Sequence, residues 1–160
     1  MSQLDDLDLA ILAALEENAR VPVSELARSL GAPGSTIRDR IQRLEEEEVI
    51  LGYTTRLNAA KLGLGIKAIL QVARDERFSL DEFHRESAEL PAATNVQLVT
   101  GETDELITVY ATDVEHLKEI IYNVVGALPG VTRSDTAIVL EETRLPLTRC
   151  VPRFCVGRDE

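Results

Sequence analysis

Residues 20–53 constrain the fold more than any other stretch, because their apolar spacing describes two short helices joined at Gly31 and closed by a turn into a strand. Leu26, Ala27 and Leu30 place one apolar face on a first helix. Ile37, Ile41 and Leu44 repeat the helical period on a second. Ala27 is small enough to let the two helices approach, and Gly31, four positions on, permits the positive φ of a tight inter-helix turn. The pattern is that of a helix-turn-helix unit. An ordinary helical hairpin with a solvated outer face has the same apolar spacing, so the outer face has to be read separately.

On the second helix the core leaves Ser35, Thr36, Arg38, Asp39, Gln42 and Arg43 unclaimed. Short hydroxyls near a helix N-terminus bond phosphate oxygens, and arginines fork onto guanine edges or phosphates. With Arg40, these residues form the expected contact set for double-stranded DNA. The formal charge of −11 opposes non-specific DNA binding, since phosphate affinity comes from cations that displace counterions. Its distribution matters more than its sum. Between residues 20 and 43, Arg20, Arg28, Arg38, Arg40 and Arg43 stand against Glu25 and Asp39, a local net charge of +3. The glutamates at 45–48 read as a solvated helix end.

At 160 residues with 44% apolar content, the chain has room for two small domains. No apolar run reaches the roughly 18 residues of a membrane span, and no secretory pattern opens the chain, so a cytoplasmic protein is expected. Cys150 and Cys155, without histidine partners, suggest reduced thiols rather than a metal site; no metal and no cofactor are expected.

Leu4, Leu7, Ile11, Leu12 and Leu15 predict a further helix ahead of the motif, capped by Asp5 or Asp6. A strand over 49–57 is expected to leave this unit, and 58–65 to form a connection. Beyond it lies an internal repeat. Leu90-Pro91-Ala92-Ala93-Thr94 recurs as Leu128-Pro129-Gly130-Val131-Thr132, each copy following an amphipathic helix and preceding a β-rich run. Ser79 with Glu82 and Thr112 with Glu115 have capping-box spacing. Strands over 66–73, 95–100, 105–112 and 134–141 bracket the two helices, giving a βαββαβ ferredoxin-like sandwich. The expected class is α+β, with a helix-turn-helix domain at 1–56, a linker at 57–65, the sandwich at 66–148 and a tail at 149–160. Its helix-free sheet face calls for a partner, and a homodimer is the economical one. Twofold symmetry would present two recognition helices to half-sites about one duplex turn apart.

These residues together resemble the Lrp/AsnC family of feast-or-famine transcriptional regulators. The resemblance rests on Leu4-Asp5-Asp6-Leu7-Asp8 with Ile11-Leu12, Arg20, Glu25-Leu26-Ala27, Leu30-Gly31, Ser35-Thr36-Ile37, Arg40-Ile41, Leu44-Glu45, Val49-Ile50 and Gly52-Tyr53. The second half adds Leu98-Val99-Thr100-Gly101, Asp104, Leu128-Pro129-Gly130-Val131, Glu141-Glu142 and Leu145-Pro146-Leu147. The resemblance implies a winged-type DNA-binding unit and a ligand-sensing domain that dimerises and assembles further, to octamers, with amino-acid effectors between dimers. In the family the effector lies near a Gly-Asp-Tyr/Phe-Asp loop, here Gly101-Glu102-Thr103-Asp104. An ammonium suits Asp104, while Thr100, Thr103 and Thr136 suit the carboxylate or fix the loop. Glu102 keeps an acid and Thr103 loses the aromatic. Pro22 and Pro33 replace the family's capping serines, moving the caps toward Ser24 and Ser35, and Glu48 replaces a glycine after the recognition helix.

The leading expectation is a non-enzymatic, ligand-responsive DNA-binding regulator. A sensing or assembly module with weak or lost DNA binding is the alternative, motivated by the acidity, Glu48 and the moved caps. A haem-precursor decarboxylase of similar architecture is a second alternative, with His84 and His116 the only histidines available for acid–base work.

Overall fold

The computed structural model describes residues 4–152, and Cys155 lies outside them. The chain divides into two compact units.

In the first unit, α1 (Asp6–Glu17), α2 (Val23–Leu30) and α3 (Gly34–Glu46) enclose Ile11, Leu26, Ile37 and Leu44. Asp5 caps α1 through a full capping box with Asp8, as the sequence leads one to expect. Gly31 ends α2 in the left-handed region at φ 64°. Ser24 and Ser35 do not become caps. The N-cap positions are Pro22 and Pro33, without side-chain cap bonds, so each serine sits inside its helix. Proline there replaces a cap's hydrogen bond with a preset φ. Glu48 follows α3 at φ 56°, where its amide and that of Val49 bond back to the carbonyls of Glu45 and Leu44. It is the one non-glycine residue with positive φ among the described residues.

The strand expected over 49–57 is not formed, because the segment finds no ladder partner among the described residues; Leu51 is 90% exposed. Residues 143–152 belong to this first unit rather than to a sandwich running to residue 148. Glu16 holds it there, its carboxylate accepting from the amides of Leu147 (2.7 Å) and Thr148 (3.0 Å) at the start of a 3₁₀ turn, Leu147–Cys150.

The second unit, Leu57–Glu142, is a four-stranded antiparallel sheet in the order β2-β3-β1-β4. Its strands are β1 (Ile66–Arg74), β2 (Ala93–Leu98), β3 (Glu105–Ala111) and β4 (Val131–Ile138). Helices α4 (Leu80–Ala88) and α5 (Val114–Glu119), the latter continued by a π turn over Ile120–Val125, follow β1 and β3. Strands β2 and β4 start two to three residues earlier than their β-rich runs suggest. The repeated Leu-Pro turn closes tightly, with Ala93 N–H on Leu90 and Val131 N–H on Leu128, and pairing begins at once.

Alternation of side chains buries Ala68, Leu70 and Val72 of β1 with Ile107, Val109 and Ala111 of β3 under Phe83, Leu117 and Ile120. The other face carries Ile69, Leu106 and Tyr110, each half-buried. Neither helix carries the capping box that its spacing suggests. Ser79 makes no cap bond while Glu82 turns to Arg85, and Asp113, not Thr112, caps α5 by accepting from His116 N–H at 2.9 Å.

Candidate functional site

In α3 the period of 3.6 turns Ile37 and Leu44 into the core and leaves Ser35, Arg38, Asp39 and Gln42 exposed, with Thr36 half-buried. Gln42 bonds Glu46 one turn on, at 2.8 Å. Arg38 makes no hydrogen bond or ion pair among the described residues, so its fork is free.

Arg40 and Arg43 are not free. Arg40 Nη1 bonds both Asp5 and Asp8 (2.9 Å to Asp8 Oδ1), and Arg43 Nη2 lies 2.7 Å from the same Asp8 oxygen. Asp8 is 1% exposed, whereas the arginine side chains are 28% and 34% exposed. Two arginines expected to contact DNA therefore tie α3 to the first turn of α1. Arg40 holds the Asp5 carboxyl down at about 2. Burial pushes Asp8 the other way, but Arg43, the Asp5 amide and Arg40 outweigh it and keep this carboxyl below its ordinary value. Asp5 and Asp8 signal their cap in the sequence. The matching three-residue spacing of Arg40 and Arg43 was the only sign of this second role.

In the second unit the 99–104 loop closes between β2 and β3, with Val99 N–H on Asp104 O and Asp104 N–H on Val72 O. Gly101 has φ 129°, a conformation L side chains rarely adopt. Asp104 is one-third exposed. Its Oδ2 accepts the main-chain N–H of Arg74 at 2.8 Å, and its Oδ1 lies 3.7 Å from Arg74 Nε. Arg74 reaches it because β1 is irregular at Ala73/Arg74, and a bulge re-aims side chains. Its Nη1 donates to the carbonyls of Phe78 (2.6 Å) and Asp75 (3.3 Å).

Arg133 approaches the same loop from β4, with Nη2 3.4 Å from the Glu102 carbonyl and Nε 3.1 Å from Asp135. Sequence reading missed both arginines, since a bulge and a cross-strand register leave no local signature. Thr100 and Thr103 stand in or beside the loop without hydroxyl hydrogen bonds among the described residues. Thr136 does not join them. It pairs with Leu70, four residues along β1 from Arg74 or about 13 Å at a strand's rise, and strand alternation turns it to the face of Leu70.

Of the two histidines, His84 Nδ1 is 2.9 Å from Oε1 of Glu105, which is fully buried. His116 Nδ1 accepts from Thr112 N–H at 3.2 Å. Cys150 is an exposed free thiol. An apolar cleft of about 500 Å³ in the first unit is lined by Leu12, Leu15, Leu51, Tyr53 and Leu147 and by no residue of α3. No group of three metal-binding side chains occurs among the described residues, and no helix there is long and apolar enough to cross a membrane.

Residues 4–45 match the AsnC-type helix-turn-helix domain and residues 67–145 the Lrp/AsnC ligand-binding domain. The chain is 35% identical to the HTH-type transcriptional regulator LrpA of Pyrococcus horikoshii over 142 residues, 88% of this chain and 99% of that protein. It is 33% identical over 143 residues to the HTH-type transcriptional regulator AldR of Mycolicibacterium smegmatis, covering 88% and 84% of the two chains. Among solved structures it is similar to a transcriptional regulator from Neisseria meningitidis in complex with L-methionine. There the TM-score is 0.84 at 25% identity, over 91% of this chain and 96% of that one. These relatives are regulators rather than enzymes, so the decarboxylase alternative is not retained. With both of its domains matched in order, the chain belongs to the Lrp/AsnC family of transcriptional regulators.

Proposed function

We propose that this regulator reads double-stranded DNA through the exposed face of α3 and responds to an amino acid held at the 101–104 loop. Ser35, Thr36, Arg38, Asp39 and Gln42 form the reading face, with Arg38 the main anchor. Arg40 and Arg43 serve it by holding α3 in place. At the other end, Asp104 takes the effector's ammonium, with Gly101, Glu102 and Thr103 shaping the loop and Thr100 beside it. The observation that carries this reading is the state of Asp104: one carboxylate oxygen is fixed by a main-chain amide, and the other, 3.7 Å from Arg74 Nε, has no hydrogen bond among the described residues. L-Methionine, bound by the Neisseria relative, is the natural first probe.

The working unit is a homodimer paired through the sheet face of Ile69, Leu106 and Tyr110, with octamers built from dimers and the effector between them. An effector that binds one assembly state more tightly shifts the population toward it, and so alters DNA binding. Thermal shifts with the twenty amino acids test the sensing half: Asp104→Ala should abolish the response, and a retained shift moves the site elsewhere. Gel retardation on the chain's own upstream region tests the other half, with Arg38→Ala expected to weaken the complex without changing assembly.

A sensing module with weak DNA binding is the second reading, favoured by the loss of Arg40 and Arg43 to Asp5 and Asp8. Absence of retardation even at low salt would select it.

A further inference from the structure

We infer that Arg133 receives the effector's carboxylate, so that it and Asp104 form a charge pair matched to a zwitterion. The inference rests on the amino-acid reading above. Asp104 alone would accept any amine; preference for an α-amino acid needs a cation within reach of the same loop. Two arginines qualify by position, and their surroundings separate them.

Arg74 is 16% exposed, with Nη1 committed to two carbonyls and Nε buried. Moving it would cost those bonds, so it acts as a positioning residue that aims Asp104. Arg133 is 51% exposed. Its anionic neighbours are Glu102, 3.9 Å away and 94% exposed, and Asp135, 61% exposed. Ion pairs this open to water contribute little, and an incoming carboxylate displaces them cheaply.

The placement fits as well: Arg133 Nη2 lies 3.4 Å from the carbonyl of Glu102, two residues before Asp104 in the same loop. Arg133 also pairs with Ala73, next to the bulge that delivers Arg74, so both arginines approach the loop from adjoining strands.

The test is calorimetric titration of the full chain with the amino acid giving the largest thermal shift among the twenty, and with its primary amide. At about pH 6.5 both ligands carry their ammonium, and only the carboxylate charge differs. The wild type should bind the acid about tenfold more tightly than the amide, the size expected for a hydrogen bond between charged groups. Arg133→Gln should weaken the acid about tenfold and leave the amide unchanged, so that the two bind about equally, and Arg133→Lys should recover part of the preference. An unchanged acid-to-amide ratio in Arg133→Gln overturns the assignment, as does equal loss of both ligands. If Asp104→Ala abolishes binding while Arg133→Gln keeps the ratio, only the arginine assignment fails. If none of the twenty amino acids binds, the reading beneath it fails too.

Discussion

Replacing Asp8 by alanine separates a recognition helix that is clamped from one whose arginines grip phosphate. The carboxylate accepts the Asp5 amide at 3.0 Å and holds Arg40 and Arg43 at 2.9 and 2.7 Å. Losing half of the capping box costs about 1 kcal/mol. Stripping a buried carboxylate from a fully buried pair costs about 3–5 kcal/mol, but both arginine side chains are about one-third exposed and rehydrate, so this part is nearer 1 kcal/mol. The sum is about 2 kcal/mol, and in a unit this small it lowers the melting temperature by about 8–16 °C. Asp8→Asn, which keeps an acceptor and the shape, should lose about half as much.

The assay is thermal melting together with hydrogen exchange at α1 and α3 amides, alongside DNA titrations across a salt series. Clamp residues and phosphate contacts then diverge. Arg40→Ala and Arg43→Ala should destabilise α3 and leave the salt slope in place, whereas each lost phosphate contact removes about one unit of slope. Normal melting of Asp8→Ala, with shallower slopes for both arginine variants, would refute the clamp.

Three further outcomes follow from the same structure. The Asp5 and Asp8 carboxyls sit below their usual 3.8 in the folded state, Asp5 at about 2, so their stabilisation is complete above the unfolded value and disappears as pH falls toward the folded one. Acid titration should therefore loosen the α1–α3 contact between about pH 4 and 2, a step that Asp8→Ala flattens in exchange measurements. Glu48→Gly relieves a left-handed backbone at φ 56° and should raise stability by about 0.5–1 kcal/mol in denaturant melts; a loss would show that the glutamate side chain, rather than strain, decides this position. His84→Ala strips the buried Glu105 carboxylate of its partner and should cost about 2 kcal/mol, and adding Glu105→Leu should restore most of it; failure of that rescue would show that His84 matters for packing instead.

Local patterns were legible, and contacts between distant residues were not. The alternation in β1 and β3 and the Asp5 cap are set by residues within a turn or strand of one another, and the structure realises them. Gly31 is of the same kind: a tight turn after α2 needs a positive φ, and only glycine adopts it without strain. Arg40 and Arg43 read as free because Asp5 and Asp8 lie more than thirty residues away in the chain. Thr112 and Asp113 both can cap a helix, and the choice is made by backbone direction at the end of β3 rather than by residue type. Glu16 taking up Leu147 and Thr148 joins opposite ends of the sequence, beyond any periodic signal. At the 101–104 loop, Gly101 and Asp104 follow a motif, whereas Arg74 and Arg133 arrive through a bulge and a strand register.

The clamp also changes how an acidic chain can bind an anionic duplex. The local excess of +3 around the helix-turn-helix includes Arg40 and Arg43, whose charges Asp5 and Asp8 neutralise within the protein. In the first unit, Arg20, Arg28, Arg38 and Arg56 make no side-chain ion pair among the described residues. So few free cations, on a chain of net charge −11, release few counterions per copy, and non-specific affinity from one copy is correspondingly weak. On the proposed reading discrimination would benefit, because the clamp fixes α3 for contacts to base edges while the acidic remainder of the surface would repel misaligned DNA. Affinity then has to come from repetition: in the proposed dimer, two copies joined through their sheets would double the cations and the base contacts together. Under that proposal assembly, and whatever effector shifts it, would be the natural control over DNA binding.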